Sequence, residues 1–204
     1  MSESYLIPAN DLFVEEEIKH SRFISFLFHC QSAEELKCVL TNLKVEYPGA
    51  NHYCYAFVGG APTDNVNMGS SDDGEPSGSA GRPMLAALQG ANIGEVGAVV
   101  IRYFGGTKLG VGGLVRAYSS GIKQAIPQLQ TQLKQIRYPA TLVCDYHQLK
   151  DVEHIFAQYD VVIDDKQFSD NIVIQFAIPK AFKVQLNVDL ATMSKGQLKA
   201  IFAE

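Results

Sequence analysis

The chemistry of this chain concentrates in a glycine-rich segment whose charged residues are all basic. Residues 99–123 read VVIRYFGGTKLGVGGLVRAYSSGIK, and no acidic residue occurs between Glu95 and Asp145. Glycines leave the backbone N–H groups of a loop open to a ligand, and a helix N-terminus favours an anion such as phosphate. The residues predicted to bind nucleic acid or another anion are Arg102, Gly105, Gly106, Lys108, Gly112, Gly113, Arg116 and Lys123.

The glycine spacing argues against the two common nucleotide-binding loops. Neither G-x-x-x-x-G-K-[ST] nor G-x-G-x-x-G fits the loop sequence GGTKLGVGG. A simpler interpretation is a turn that lets a strand and a helix pack closely beside a solvated basic face. The sequence leaves both interpretations open.

The helix predicted after this loop has two different faces. Arg116 and Lys123 share one side, and the opposite side is apolar. Of the nearby aromatic residues, Tyr103 and Phe104 are candidates for stacking on bases, whereas Tyr118 belongs to the apolar side. One face is therefore expected to pack and the other to meet a ligand.

A second cluster, SSDDGEPSGSAGRP at residues 70–83, holds three carboxylates within four positions. Asp72, Asp73 and Glu75 could bind Mg²⁺ or Ca²⁺ through oxygen ligands. The EF-hand pattern does not fit, because its last ligand would fall on Pro83. The carboxylates could equally cap the helix that follows or form ion pairs. The arginines considered as ion-pair partners are Arg82, Arg102 and Arg116.

His52 and Cys54 form a possible nucleophile pair. They lie two residues apart on a predicted strand, so their side chains point to the same face. The sequence identifies no third group to orient the histidine and no oxyanion hole. A hydrolytic site needs an orienting group and an oxyanion hole in addition to the nucleophile and its base, so a packing role is the favoured interpretation for His52 and Cys54.

The first half of the chain predicts a mixed sheet-and-helix domain. Residues 12–29 read as two strands, and a helix starts at a Ser32 capping box and stops before Pro48. A strand over residues 52–58, a long loop to residue 81, a short helix from Pro83 and the strand around Val99 follow. The pattern then weakens into a linker, and a domain boundary is predicted near residue 136.

The second half predicts a small ferredoxin-like domain. Strands over 140–146, 161–168, 172–178 and 198–202 alternate with two helices in the order β-α-β-β-α-β. The fold class is therefore α+β, with two domains at residues 1–135 and 136–204.

Composition restricts the classes of function. The chain has 204 residues and a net charge of −5, so any contact with nucleic acid must be a local patch. It has no run of about 18 apolar residues, and its start lacks the features of a signal peptide, which predicts a cytoplasmic protein without a membrane partner. The four cysteines show no C-x-x-C pair and are predicted to be reduced thiols. No cofactor is predicted.

The two central motifs, DDGEPSGSAGRPM and VVIRYFGGTKLGVGGLVRAY, resemble those of the IMPACT family, in particular its bacterial YigZ branch. The segments YLIPA, EEIKHSRF and DYHQL extend the resemblance over essentially the whole chain, with Ser79 where the family commonly has Thr. The resemblance implies an N-terminal domain with the fold of the second domain of a small-subunit ribosomal protein and of domain IV of elongation factor G. It also implies a ferredoxin-like C-terminal domain similar to domain V of that factor.

Those relatives work on ribosomal RNA, and the resemblance therefore implies a regulator of translation. The favoured hypothesis is a binding module without enzymatic activity that docks on structured RNA or the ribosome through the basic, glycine-rich edge. A metal-assisted hydrolase with Asp72, Asp73 and Glu75 as ligands is an alternative. A module that binds a protein partner of the translation machinery is another.

Overall fold

The computed structural model describes residues 4–203, which form two compact units. The first is Tyr5–Lys134, and the second comprises residues 135–203 together with Ser4. Each unit has its own hydrophobic core and combines a sheet with helices, so the α+β fold class and the two-domain organisation are confirmed.

The first unit is built on a five-stranded antiparallel sheet with the order β2-β3-β6-β4-β5. A separate pair is formed by β1 and β7. The elements are β1 (Ser4–Pro8), β2 (Leu12–Ile18), β3 (Ser21–His29), α1 (Ala33–Glu46), β4 (His52–Val58), β5 (Met68–Ser71), α2 (Gly81–Gly90), β6 (Val96–Tyr103), α3 (Val111–Ala125) and β7 (Thr131–Gln135). The predicted elements are present. Three further strands were not predicted: β1 precedes the first predicted strand, β5 lies inside the predicted long loop and β7 replaces part of the predicted linker.

Local sequence explains the boundaries of the first elements. Lys19 and His20 both adopt left-handed backbone conformations, with φ of 48° and 67°, which suits the two-residue turn between β2 and β3. The Ser32 side chain accepts a hydrogen bond from the backbone N–H of Glu35 at 3.2 Å and caps α1. The helix ends at Glu46, and its C-cap Tyr47 immediately precedes Pro48.

The central sheet of the first unit has a helix layer on each face. Along β4, His52 and Cys54 face the same side as Val100 and Tyr118, the side covered by α2 and α3. Tyr53, Tyr55 and Phe57 face the opposite side, which α1 covers. The alternation predicted for residues 52–58 is confirmed. It brings His52 and Cys54 under the loop that carries Asp72, Asp73 and Glu75, which we call the acidic loop.

The second unit is a four-stranded antiparallel sheet with the order β11-β8-β10-β9 and two helices. Its elements are β8 (Arg137–Cys144), α4 (Leu149–Phe156), β9 (Val162–Phe168), β10 (Ile172–Pro179), α5 (Lys183–Met193) and β11 (Ile201–Phe202). The chain order β-α-β-β-α-β matches the predicted ferredoxin-like domain. Leu142, Ile174, Phe176 and Leu190 lie in its core. None of the described helices is long and apolar enough to cross a membrane.

Candidate nucleic-acid interface

Arg102 does not belong to an exposed basic edge. The alternation of β6 turns its side chain toward α2 and α3, and only 5% of the residue is exposed. Its guanidinium lies 2.6 Å from Glu75 Oε1 and donates a second hydrogen bond to Ser21 Oγ at 3.3 Å. The prediction that Arg102 contacts an external phosphate is therefore wrong, because a buried carboxylate already neutralises this cation.

Glu75 is the centre of this buried network. The Tyr118 hydroxyl donates to Glu75 Oε1 at 2.8 Å, and His52 Nε2 lies 3.8 Å from Glu75 Oε2. Burial, together with the neighbouring Cys54 and Glu75, raises the pKa of Tyr118. The phenol therefore stays protonated and serves as a hydrogen-bond donor. The network joins the acidic loop to β6 and α3.

The His52 and Cys54 pair has a packing role in this arrangement. His52 Nδ1 lies 2.9 Å from the carbonyl oxygen of Asp73, and Cys54 Sγ donates to the carbonyl oxygen of Asp72 at 3.0 Å. Burial raises the pKa of the Cys54 thiol to about 12. A thiol with that pKa is protonated at neutral pH and is a poor nucleophile.

Asp72 caps α2 from a distance of several residues. Ala80, which precedes the helix, offers no side-chain cap. Burial alone would raise the pKa of Asp72, but three backbone N–H bonds to its carboxylate lower it. The three donors are Gly78 at 2.7 Å, Ala80 at 3.0 Å and Gly81 at 2.8 Å.

The three carboxylates of the acidic loop do not converge on one point. Asp72 binds backbone N–H groups, Asp73 accepts the N–H of Tyr53 at 2.6 Å, and Glu75 pairs with Arg102. Within residues 4–203, no group of three His, Cys, Asp or Glu side chains is arranged to hold a metal ion. The geometry therefore favours capping and ion pairing over the metal site that the sequence also allowed.

The other basic residues of the segment remain on the surface. Lys108, Arg116 and Lys123 are exposed, and none has a carboxylate within 4 Å among the described residues. Arg116 Nε donates to the carbonyl oxygen of Gly112 at 3.2 Å, which leaves most of the guanidinium free. We call these three side chains, with the loop and helix start at residues 105–113, the basic edge.

The glycines of this loop have different roles. A Cβ at Gly105 would lie 1.9 Å from the carbonyl oxygen of His20, so this glycine is required for packing against the β2–β3 turn. Gly106 and Gly112 have open space where a Cβ would stand, whereas Gly113 faces Leu109. All four glycines were predicted to present their backbone to a ligand, but only Gly106 and Gly112 have the open surroundings that this requires.

The start of α3 leaves N–H groups available to a ligand. The preceding Gly110 has φ of 73°, provides no side-chain cap and accepts its first helical hydrogen bond from Leu114 at 2.9 Å. The first-turn N–H groups of a helix have no acceptor within the helix, and this first turn contains no acidic side chain. A phosphate is therefore compatible with this end of the helix.

A buried carboxylate that the sequence analysis did not single out is Glu95. It accepts hydrogen bonds from Tyr5 at 2.7 Å, His29 at 2.7 Å and Gln31 at 3.0 Å, and it pairs with Lys134. Burial alone would raise its pKa, but these donors, Lys134 foremost, lower it to about 2. The available signal was its position as the one acidic residue between Glu75 and Asp145.

Comparisons with known proteins agree with this architecture. The family described as Impact N-terminal domain matches residues 19–126, and a domain of unknown function, DUF1949, matches residues 142–197. IMPACT family member YigZ of Escherichia coli (strain K12) is 45% identical over 202 residues, which cover 99% of each chain. IMPACT family member YvyE of Bacillus subtilis (strain 168) is 33% identical over 155 residues, covering 76% of this chain and 70% of the relative.

A solved structure titled "Crystal structure of an hypothetical protein" is also similar. Its TM-score is 0.80 at 45% sequence identity, and the alignment covers 100% of this chain and 99% of the other. The sequence motifs, both domain matches and the full-length relatives agree, and this chain therefore belongs to the IMPACT family.

Proposed function

We propose that this chain is a translation-regulating binding protein that docks on structured RNA of the ribosome through its basic edge. The observation that supports this most directly is the division of the basic residues over 99–134. Arg102 and Lys134 are neutralised by Glu75 and Glu95. The other three basic residues of this stretch, Lys108, Arg116 and Lys123, have no carboxylate partner within residues 4–203, and they form the basic edge.

The chemistry of the basic edge suits phosphate contacts rather than base recognition. Lysine and arginine side chains contact backbone phosphates, and the released counterions make such binding fall with rising salt. The open N–H groups at the start of α3 add hydrogen-bond donors that also favour a phosphate. The net charge of −5 limits such contacts to this local surface. Membership of the IMPACT family is consistent with a role in translation.

Co-sedimentation with ribosomal subunits across a salt series tests the proposal. The wild type is compared with a Lys108→Glu/Arg116→Glu variant, and the control is Lys37→Glu/Lys150→Glu, which makes the same change of charge at two exposed lysines elsewhere. We expect salt-sensitive binding that is at least about tenfold weaker in the basic-edge variant and nearly unchanged in the control.

Two results would contradict the proposal. One is equal weakening by both variants, since the effect would then depend on total charge and not on this surface. The other is the absence of wild-type binding at low salt.

A further inference from the structure

The three aromatic residues of the basic segment have different environments. Tyr118 is fully buried, and Tyr103 is half-buried with its hydroxyl donating to the carbonyl oxygen of Pro48 at 3.3 Å. Phe104, the residue that follows β6, is 45% exposed. Of these three rings, only Phe104 offers a large surface to a ligand.

The backbone around Phe104 is held in place by side chains from neighbouring strands. The N–H of Phe104 donates to Asn51 Oδ1 at 2.8 Å, and the N–H of Gly105 donates to Ser21 Oγ at 3.2 Å. In turn, the N–H of Asn51 donates to the carbonyl oxygen of Arg102 at 2.9 Å. The backbone from which the exposed ring projects is therefore fixed by hydrogen bonds.

One side of the ring is backed by the buried network. The Arg102 guanidinium carbon lies 5.5 Å from the Phe104 ring centroid and 5.3 Å from that of Phe23. The same guanidinium donates to Glu75 Oε1 at 2.6 Å. One cation of the buried network therefore lies near both a buried and an exposed ring.

The chain that follows the ring is small or polar. Residues 105–108 are Gly, Gly, Thr and Lys, so the segment does not continue as an apolar patch of the kind that protein interfaces use. Lys108 is four residues from Phe104, and an extended chain of that length spans at most about 14 Å. A ring and a free cation within this reach of each other are the two kinds of group that contact the bases and phosphates of a single-stranded nucleotide chain.

We propose that Phe104 is a stacking platform for an unpaired nucleobase, so that the RNA recognised by this chain contains single-stranded or looped nucleotides at the basic edge. This inference rests on the proposed function. Bases inside a duplex are covered by their neighbours, whereas an unpaired base can place its π-face on an aromatic side chain. Stacking tolerates any base, so it selects RNA structure more than RNA sequence.

The experiment measures binding of the full chain to two RNAs with equal numbers of phosphates, an unstructured single strand and a fully paired duplex, at one salt concentration. The variants are Phe104→Ala and Phe104→Tyr, the latter keeping a ring that can stack. The matched control is Phe13→Ala, which removes another ring of the first unit with a similar exposure, 44% against 45%. Thermal unfolding checks that each variant is folded.

We expect Phe104→Ala to weaken single-strand binding by about 5- to 100-fold and duplex binding by less than about twofold. Phe104→Tyr and Phe13→Ala should bind like the wild type. Equal effects of Phe104→Ala on the two RNAs, or no effect on either, would overturn the stacking role while leaving the docking surface intact. Failure of the wild type to bind either RNA at low salt would instead overturn the proposed function.

Discussion

Glu75 and Glu95 determine which basic residues between positions 99 and 134 have no carboxylate partner among the described residues. Each of these two glutamates is nearly fully buried. Glu75 pairs with Arg102, and Glu95 pairs with Lys134. The pair of Glu75 and Arg102 also positions Phe104, because the guanidinium lies against its ring. At the residue scale, the free charge of the basic edge is therefore set by two carboxylates outside it.

Glu75→Gln should destabilise the first unit by about 3 kcal/mol, because it leaves the buried Arg102 cation without a compensating charge. The measurement is urea denaturation followed by amide signals of the first unit. Glu15→Gln is the control, since Glu15 forms an exposed pair with Arg22 at 2.6 Å and should cost less than about 1 kcal/mol. Similar losses of unfolding free energy in both variants would contradict the prediction, because the buried pair would then contribute no more stability than the exposed one.

Glu95 predicts a pH dependence of stability. Its pKa in the folded protein, about 2, lies below its ordinary value of 4.5, so folding favours the ionised form. Its contribution is fully present above about pH 5 and is lost as the pH falls toward 2. We expect it to be about 1 to 3 kcal/mol, because solvent near the partly exposed His29 and Lys134 screens part of the interaction.

The test compares urea denaturation of the wild type and Glu95→Gln between about pH 7 and pH 2. The two stability curves should differ most at neutral pH and converge at the acid end. Glu34→Gln, at an exposed carboxylate of α1, should follow the wild-type curve. A constant difference between wild type and Glu95→Gln at every pH would contradict the assignment.

At the scale of elements, α3 approaches the sheet closely at Gly121, on its buried side. A Cβ at Gly121 would lie 2.4 Å from Ser25 Oγ and 3.2 Å from Glu16 Oε1. A side chain at this point would therefore require the Ser25 hydroxyl to rotate away and the Glu16 carboxylate to shift. The same helix presents Arg116 and Lys123 on its exposed side, so this packing distance also positions the basic edge.

Gly121→Ala should destabilise the first unit by about 1 to 3 kcal/mol, because the new methyl group overpacks the interface between α3 and β3. Gly112→Ala in the same helix should cause no loss, since nothing lies within 4 Å of its Cβ position and alanine is the better helix former. Thermal unfolding compares the two. Equal behaviour would mean that helix propensity and not close packing controls this position.

At the scale of the whole molecule, the proposed function requires a chain of net charge −5 to bind RNA through the local basic edge. With three free cations and about 0.7 to 0.9 counterions released per phosphate contact, the logarithm of RNA affinity should fall with the logarithm of salt at a slope of about −2 to −3. Lys108→Gln should reduce that slope by close to one unit, as measured by a binding titration at several salt concentrations.

Lys37→Gln, at an exposed lysine of α1, is the matched control and should leave the slope unchanged. A wild-type slope near zero would mean that phosphate contacts do not drive the binding. A slope much steeper than about −3 would mean that cations beyond the basic edge take part.

The sequence by itself determined the two-domain α+β organisation, the ferredoxin-like order of the second unit and the family. The family rests on the resemblance of the two long motifs, whereas the organisation and the element order depend on hydrophobic periodicity, caps and turn residues, which act between neighbours in the chain. The alternation of residues 52–58 and the apolar side of α3 are examples, and both are confirmed. Three short strands were missed, because SYLIP in β1, MGSS in β5 and TQLKQ in β7 lack a regular apolar alternation and are defined by their pairing partners.

Only the tertiary structure decided which charges are free. Arg102 and Lys108 are six residues apart in one basic motif, yet one is buried against a carboxylate 27 residues earlier in the chain and the other is exposed. The sequence allowed Glu75 to pair with any of several arginines or to bind a metal ion. The choice depends on the direction in which β6 turns a side chain and on how close α3 lies to the sheet. An ion pair of this kind joins residues far apart in sequence, and no local pattern encodes that distance.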